Sequence, residues 1–360
     1  MIKKRAFFLI CILFFCCNTD KTVELNFLDE YVLEDSLSVK NTPIGGLSGV
    51  DYANGLYYFV VDDAKNPRFL KATIDIQNNK INSVNFKDAI FLNKNNTPFF
   101  NENSLDLESI FVDIEKEEIT FTSEGSIKNG KKATIFTTDF KGNFQCDFQL
   151  PLNLSNLKTI KHNGVLEGSC KSIESNGFWA IMESPLTTDG DEPSFTKKAS
   201  PVRLTYFDNQ SKKATKQFAY QLEHITKPAK ANINLNGVTA ILEYKKNNFF
   251  VIERTYQSGY GSYGNSIRIF KATIDTETTN IFNIDSLKTV KYIPLKKELL
   301  VNFETLKHKL TDGIIDNIEG ITLGPILNNG NQTLLLVSDD NFQVYGKQLN
   351  QFILLEICIN

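Results

Sequence analysis

The residues of this 360-residue chain best suited to chemistry are acids and arginines that return at fixed places. Five apolar runs end in an acid: YYFVVDD, ITFTSEG, FWAIMES, FFVIERT and LLLVSDD. They put Asp62, Glu124, Glu183, Glu253 and Asp339 at matching positions, and Asp63 and Asp340 add a second acid in two copies. A shorter segment precedes each run: LSGV at 47–50, LESI at 107–110, LEGS at 166–169, VTAI at 238–241 and IEGI at 318–321. Its second letter is Ser48, Glu108, Glu167, Thr239 or Glu319, and its third is always small. A third segment follows, headed by Arg68, Lys132, Arg203, Arg268 or Gln351, and Arg254 stands beside Glu253. Like charges at close range repel and raise one another's pKa. A ring of carboxylates therefore needs counter-charges. Arginines supply some; Ca²⁺, which accepts several oxygen ligands in flexible geometry, would supply the rest. An arginine left beside such a metal suits a phosphate or carboxylate, whose shape its fork matches. Metal, arginine and carboxylate base together make an apparatus for phosphoester hydrolysis.

The elements that must position these groups are strands. RFLKATID at 68–75 returns as RIFKATID at 268–275 with six of eight positions identical, which marks an internal repeat. Each copy holds the short first strand, the apolar second strand and a third strand: RFLKATID, KATIFTTD, VRLTYFD, RIFKATID and QFILLEI. A less regular fourth strand follows in several copies, as in INSVNFKDAIFL and KQFAYQL. Alternation and β-branched or aromatic content mark these as strands. Four antiparallel strands recurring about every 60–80 residues describe the blades of an all-β propeller. Five blades are counted, and a sixth, degenerate one in 186–238 or 270–318 stays open. The fifth copy stops at its third strand, so VELNFLDEYVL near the N-terminus is expected to complete it and close the ring. The best helical candidate is LKKELLVNFETLKHKL at 295–310. In an antiparallel meander the start of strand one, the end of strand two and the start of strand three share one end of the sheet. The acids and arginines therefore gather on one face of the disc.

Composition sets outer limits. Hydrophobic residues are 41% and charged residues 22%, enough for a sizeable core. Net charge is −3 with no long basic run, which argues against nucleic-acid binding. Lys3, Lys4 and Arg5 precede the apolar run AFFLICILFFCC, the layout of a secretory signal too short to span a membrane comfortably. FFCCNTD at its end reads as a lipoprotein signal. Residues 1–17 would be the signal ending at a lipidated Cys17, 18–22 a tether and 23–360 a single domain; an ordinary cleaved signal is the alternative. Both readings place the mature chain outside the cytoplasm; the lipoprotein reading further places it in the cell envelope, touching membrane only through its lipid. Cys146, Cys170 and Cys358 fit no zinc spacing and leave either one disulfide or free thiols. His162, His224 and His308 are scattered and form no metal or triad pattern.

DLESIFVD, LEGSCKSI…FWAIMES, FFVIERTY…IRIFKATID and DNIEGITLGP…LLLVSDDNF resemble the esterase-like phytase family. The likeness runs from about GGLSGVDY to LLVSDDNF. It implies a propeller in secreted or lipoprotein form and an esterase or phosphoesterase activity, by relation to calcium-dependent propeller phytases. It further implies metal binding by Asp62, Glu108, Glu167, Glu319 and Asp339, and substrate binding by Arg68, Arg254 and Arg268. Glu108, Glu167 and Glu319 are the expected catalytic carboxylates, because three copies of five is a poor distribution for a purely architectural role. Ser48 and Thr239 interrupt a symmetric ring of ligands. The leading expectation is an exported, monomeric, Ca²⁺-dependent phosphoester hydrolase acting on a small anionic substrate. Two alternatives stand beside it. In a non-catalytic binding propeller the acids would be brackets between strands. A lactonase-like calcium hydrolase of neutral esters would need the arginines less.

Overall fold

The computed structural model describes residues 22–93, 97–161, 164–174 and 176–359. The expected Cys17 lipidation site and His162 lie outside them. Strand β1 spans Val23–Leu33, and a small hairpin, β2 (Ser38–Val39) and β3 (Thr42–Pro43), leads into the first blade. That blade is β4 (Leu47–Ala53), β5 (Leu56–Val61), β6 (Arg68–Gln77) and β7 (Lys80–Phe91). The second is β8 (Leu107–Asp113), β9 (Glu118–Ser123), β10 (Thr134–Thr138) and β11 (Phe144–Asp147). The third is β12 (Gly168–Lys171), β13 (Gly177–Ile181), β14 (Pro201–Asp208) and β15 (Lys213–Gln221). The fourth is β16 (Asn234–Lys245), β17 (Asn248–Gln257), β18 (Asn265–Thr273) and β19 (Lys296–Asn302). The fifth is β20 (Ile318–Ile326), β21 (Gln332–Ser338) and β22 (Asn350–Ile359), and its outer strand is β1. Five four-stranded blades thus make the propeller. β1 pairs antiparallel with β22 from Val23↔Ile359 to Leu33↔Asn350, closing the ring as the sequence implied.

Neither long stretch holds a sixth blade among the described residues. The helical expectation at 295–310 is overturned. Its first half is β19, the outer strand of blade four, and its second half is three-residue turns at Phe303–Thr305 and Lys307–Lys309. The apolar spacing there misled because an edge strand buries little. Leu299 is half exposed while Val301 packs inward, so no helical stripe exists to bury.

Packing explains the continuous apolar second strands. A middle strand of a blade is covered on both faces by its neighbours, so β5 and β21 are buried almost throughout, whereas β7 at the outside alternates. Blades one and five share Phe59, Val61, Leu70, Leu335, Val337 and Phe352. Phe59 and Phe352 meet edge to face at 5.8 Å across that seam. The described cysteines are free, Cys170 buried against blade four and Cys146 and Cys358 partly exposed.

The first strands converge on the axis. Gly49, Ser109, Gly168, Ala240 and Gly320 line an axial cavity of only ≈ 10 Å³, about the room of one water. This is why the third letter of each first strand is small. A Cβ on Gly320 would meet Val337 Cγ2 at 2.4 Å and Val50 N at 3.2 Å. Gly320→Ala should therefore cost about 1–3 kcal/mol through overpacking. Denaturant unfolding checks this, and an unchanged midpoint would show that the axis can relax.

Candidate active site

Strand register sets the equivalences at the face where second strands end. Leu47 pairs with Val61, Leu107 with Ser123, Ile318 with Ser338 and Val238 with Glu253. The residue after each partner is Asp62, Glu124, Asp339 and Arg254; in blade three, counting from Gly168↔Ile181, it is Glu183. Blade four is thus offset by one from the sequence reading. Its acid, Glu253, sits one place earlier and turns away from the axis, and Arg254 takes the acid's place. Successive side chains on a strand point to opposite faces, so one residue of shift moves the charge to the other side.

In four blades the second letter of strand one is an extra residue. The ladder skips Ser48, Glu108, Thr239 and Glu319. Bulges of this kind re-aim a side chain. Glu167 stands just before β12, its N–H donating to Ile181 O at 3.2 Å. Where the residue is not acidic it ties blades together instead. Ser48 Oγ donates to Leu107 O and Thr239 Oγ1 to Ile318 O, both at 2.8 Å.

The outcome is a pit of eight carboxylates: Asp62, Asp106, Glu108, Glu124, Glu167, Glu183, Glu319 and Asp339. Asp106 and Asn317 were missed in the sequence reading. Each stands two places before a strand-one glutamate, in D-L-E and N-I-E, and that period of two is the signal that could have found them. Arg254 fills one side. Its guanidinium donates to Glu319 at 2.6 Å, to Glu183 at 3.2 Å and to Asn317. Gly237, opposite Arg254 in the ladder, leaves the room Glu183 occupies: a Cβ there would lie 2.4 Å from Glu183 Cγ.

Among the described residues no cation pairs with the acids of the other side. Carboxylate oxygens of Asp62, Asp106 and Glu108 lie within 4.8 Å of one another. Oxygens on opposite sides of a Ca²⁺ ion stand roughly 4.6–5.2 Å apart, so the three residues fit a hard cation. Of the five expected metal ligands, Asp62 and Glu108 meet here. Glu167 and Glu319 lie on the Arg254 side, and Asp339 stands between, within the field of both Asp62 and Glu319.

Protonation follows from this crowding. Burial, then Asp106, then Asp339 and Glu319 push Asp62 up to about 9. Burial and then Glu167 and Asp62 raise Glu108 well above the carboxylate range. Burial and then Glu124 and Glu183 do the same for Glu167, against a counter-pull from Arg254. Burial and Glu183 lift Glu124 to about 7, although it accepts from Gly164 N at 2.6 Å and Val165 N at 2.5 Å. Burial opposes the charge of Arg254, but Glu319, Glu183 and Glu167 hold its pKa above the usual value.

The strand-three arginines go elsewhere. Arg68 is fully buried; it pairs with Asp63 at 2.8 Å and donates to Asn66 O at 3.0 Å, and its fork lies near the rings of Phe91 and Phe342. Arg268 reaches Asn236 at 3.1 Å and Glu253 at 3.6 Å. Arg203 grips Asp189 through two bonds of 2.6 and 2.9 Å. Glu253 is fully buried and accepts from Tyr220 at 2.8 Å and Asn236 at 2.9 Å. These are brackets within and between blades. Of the three arginines expected to bind substrate, the fold brings Arg254 alone to the acids.

A propeller with a carboxylate pit and one arginine at its axial mouth is the class this geometry defines. The chain belongs to the phytase-like family described as "esterase-like activity of phytase", whose model matches residues 42–342. No curated protein sequence matches it. Among solved structures it is similar to an endo-arabinase of Bacteroides thetaiotaomicron, with 11% identity, TM-score 0.47, and 91% of this chain and 99% of that one covered. It is also similar to the catalytic domain of an α-L-arabinofuranosidase of Coprinopsis cinerea, with 9% identity, TM-score 0.45, and 92% and 97% covered. An exo-β-1,3-galactanase of Phanerochaete chrysosporium shows 10% identity, TM-score 0.46, and 92% and 64% covered.

The raised carboxyls bind more protons folded than unfolded. Stability of the metal-free chain should therefore fall as pH rises from about 4, through about 7 for Glu124, toward about 9 for Asp62. Thermal unfolding in chelator should give a higher midpoint near pH 5 than near pH 8. Added Ca²⁺ should restore most of the difference at the higher pH, where its ligands are more readily ionised. An identical pH slope with and without Ca²⁺ would show that the three carboxylates hold no cation.

Proposed function

We propose that this protein is a Ca²⁺-dependent hydrolase of small phosphate esters, working at the acidic face of the propeller. The observation that carries the reading is the division of the pit. One half, Asp62, Asp106 and Glu108, has the spacing of a hard-cation site, and among the described residues no basic side chain pairs with it. The other half holds Arg254, partly exposed and pre-oriented by Glu183, Glu319 and Asn317. A phosphoryl group between the two would meet positive charge on both sides.

Ca²⁺ held there would polarise the ester and lower the pKa of a bound water. The chain's own groups do the rest. Arg254 keeps part of its donor fork free for a phosphoryl oxygen. Glu183 and Glu319 fix the guanidinium plane, so its ordering is not a cost of binding. Burial and neighbouring carboxylates hold Glu108 and Glu167 well above the usual carboxylate range, so this pair can carry a proton for transfer. Of the two, Glu167 is drawn toward its ionised form by Arg254, and its charge in turn helps Glu108 keep a proton. In the reaction the water oxygen bonds to phosphorus and passes a proton to ionised Glu167, the P–O bond to the alcohol breaks, and the leaving oxygen takes the proton held by Glu108. Export as a lipoprotein through Cys17 belongs to the same reading, since extracellular calcium would keep such a site loaded.

The test is a hydrolysis panel of p-nitrophenyl phosphate, its diester and p-nitrophenyl acetate, in Ca²⁺ and in chelator. Phosphate release should need Ca²⁺. Arg254→Gln should lower kcat/KM about 10²–10³-fold, as removal of one transition-state donor does, and Asp62→Asn, which removes a charged cation ligand, should abolish activity at Ca²⁺ levels that saturate the unaltered chain. Acetate cleavage that survives Arg254→Gln but not Asp62→Asn would favour a lactonase-like hydrolase. A flat panel from folded protein would leave a binding propeller.

A further inference from the structure

A second cavity adjoins the pit on the same face, between blades one and two. It is an open recess of ≈ 460 Å³, within the span of small-molecule sites. The segments that build it also carry the pit. Ala64 follows Asp62 and Asp63 in the turn after β5; Ser104 and Leu105 run directly into Asp106; Asn129 lies in the loop after Glu124. The shared wall is fixed to blade two, because Ser123 Oγ donates to Ser104 O at 3.0 Å and Glu124 N to Asp106 O at 2.9 Å.

The chemistry of the two compartments differs sharply. Among the described residues no carboxylate lines the cavity. Among them the one charged side chain is Lys131, which donates to the carbonyl of Glu102. The remaining polar wall of described residues is uncharged amide and hydroxyl, from Asn101, Asn103, Ser104, Ser126 and Asn129, with the buried ring of Phe100 behind it. Amides and hydroxyls each donate and accept, which matches a ligand whose groups do both. Alcohol hydroxyls meet that description; a second phosphate, with acceptors only, does not.

We propose that this cavity is the subsite for the alcohol half of the substrate, and that this half is uncharged and rich in hydroxyls, such as a sugar ring. The inference rests on the hydrolase reading of the pit and narrows it: one phosphoryl group over the pit, a neutral hydroxylated remainder beside it. Monophosphate esters of sugars should then be better substrates than esters carrying phosphates all round the ring.

Two variants test it on the full mature chain. Asn129→Leu keeps the size of the side chain and removes its amide; Ala64→Trp fills the mouth from an exposed turn position. With Ca²⁺ present, Asn129→Leu should raise KM for glucose 6-phosphate about tenfold more than KM for phenyl phosphate, about the worth of one hydrogen bond. Equal effects on both esters, or none, would overturn the subsite while leaving phosphoester hydrolysis intact. An equilibrium arm is independent of catalysis. Saturation-transfer NMR with methyl α-D-glucopyranoside should show binding to the unaltered chain and loss of it in Ala64→Trp. Absence of that signal, or its survival in Ala64→Trp, would overturn the proposal. Glucoside binding lost in the variant, from a protein that cleaves no phosphate ester, would instead sustain the sugar-binding cavity and reject the hydrolase reading of the pit.

Discussion

Everything at the functional face depends on how tightly five first strands crowd the axis. The space between them is about one water wide, so each strand must carry a small residue at its closest approach. The residue just before that point cannot enter the axis either. In four blades it is bulged out of the ladder, above the plug of small side chains. The acids of the pit are therefore a collar around a closed axis rather than the lining of an open tube.

That crowding sets the electrostatics. Carboxyls buried at this spacing hold protons they would lose in water, and one arginine cannot neutralise eight of them. Blade four breaks the symmetry by exchanging an acid for Arg254 at the equivalent register, while its own glutamate turns outward to Tyr220 and Asn236. The half of the pit facing Arg254 is thereby settled, and the half at Asp62, Asp106 and Glu108 is not. Asymmetry of this kind makes a directional site from a repeated blade.

The propeller, its five blades and the closing role of β1 were legible in the sequence. Repeats announce themselves, and period-two strands do not depend on distant partners to be recognised. The site was legible in part. Glu108, Glu167 and Glu319 stood out because they break the repeat. The roles of Arg68 and Arg268 were not legible, because a strand-three arginine beside an acid reads the same whether it faces a ligand or Asp63 and Glu253. Arg254 was seen, but its exact equivalence to Asp62 was hidden by a one-residue register shift. The helical reading at 295–310 failed for a related reason: an edge strand that buries few residues leaves no period to read.

The seam of the ring has a consequence for the order of events during synthesis. The first strand of the described chain has no partner until the last one exists, about 300 residues later. At roughly 5–20 residues per second, β1 waits on the order of 15–60 s with an unpaired edge. Glu319 and Asp339 belong to the blade completed at that moment. Once β19 has been made the chain can thus hold four blades but not a finished collar, and the acidic face comes into being in a single final docking.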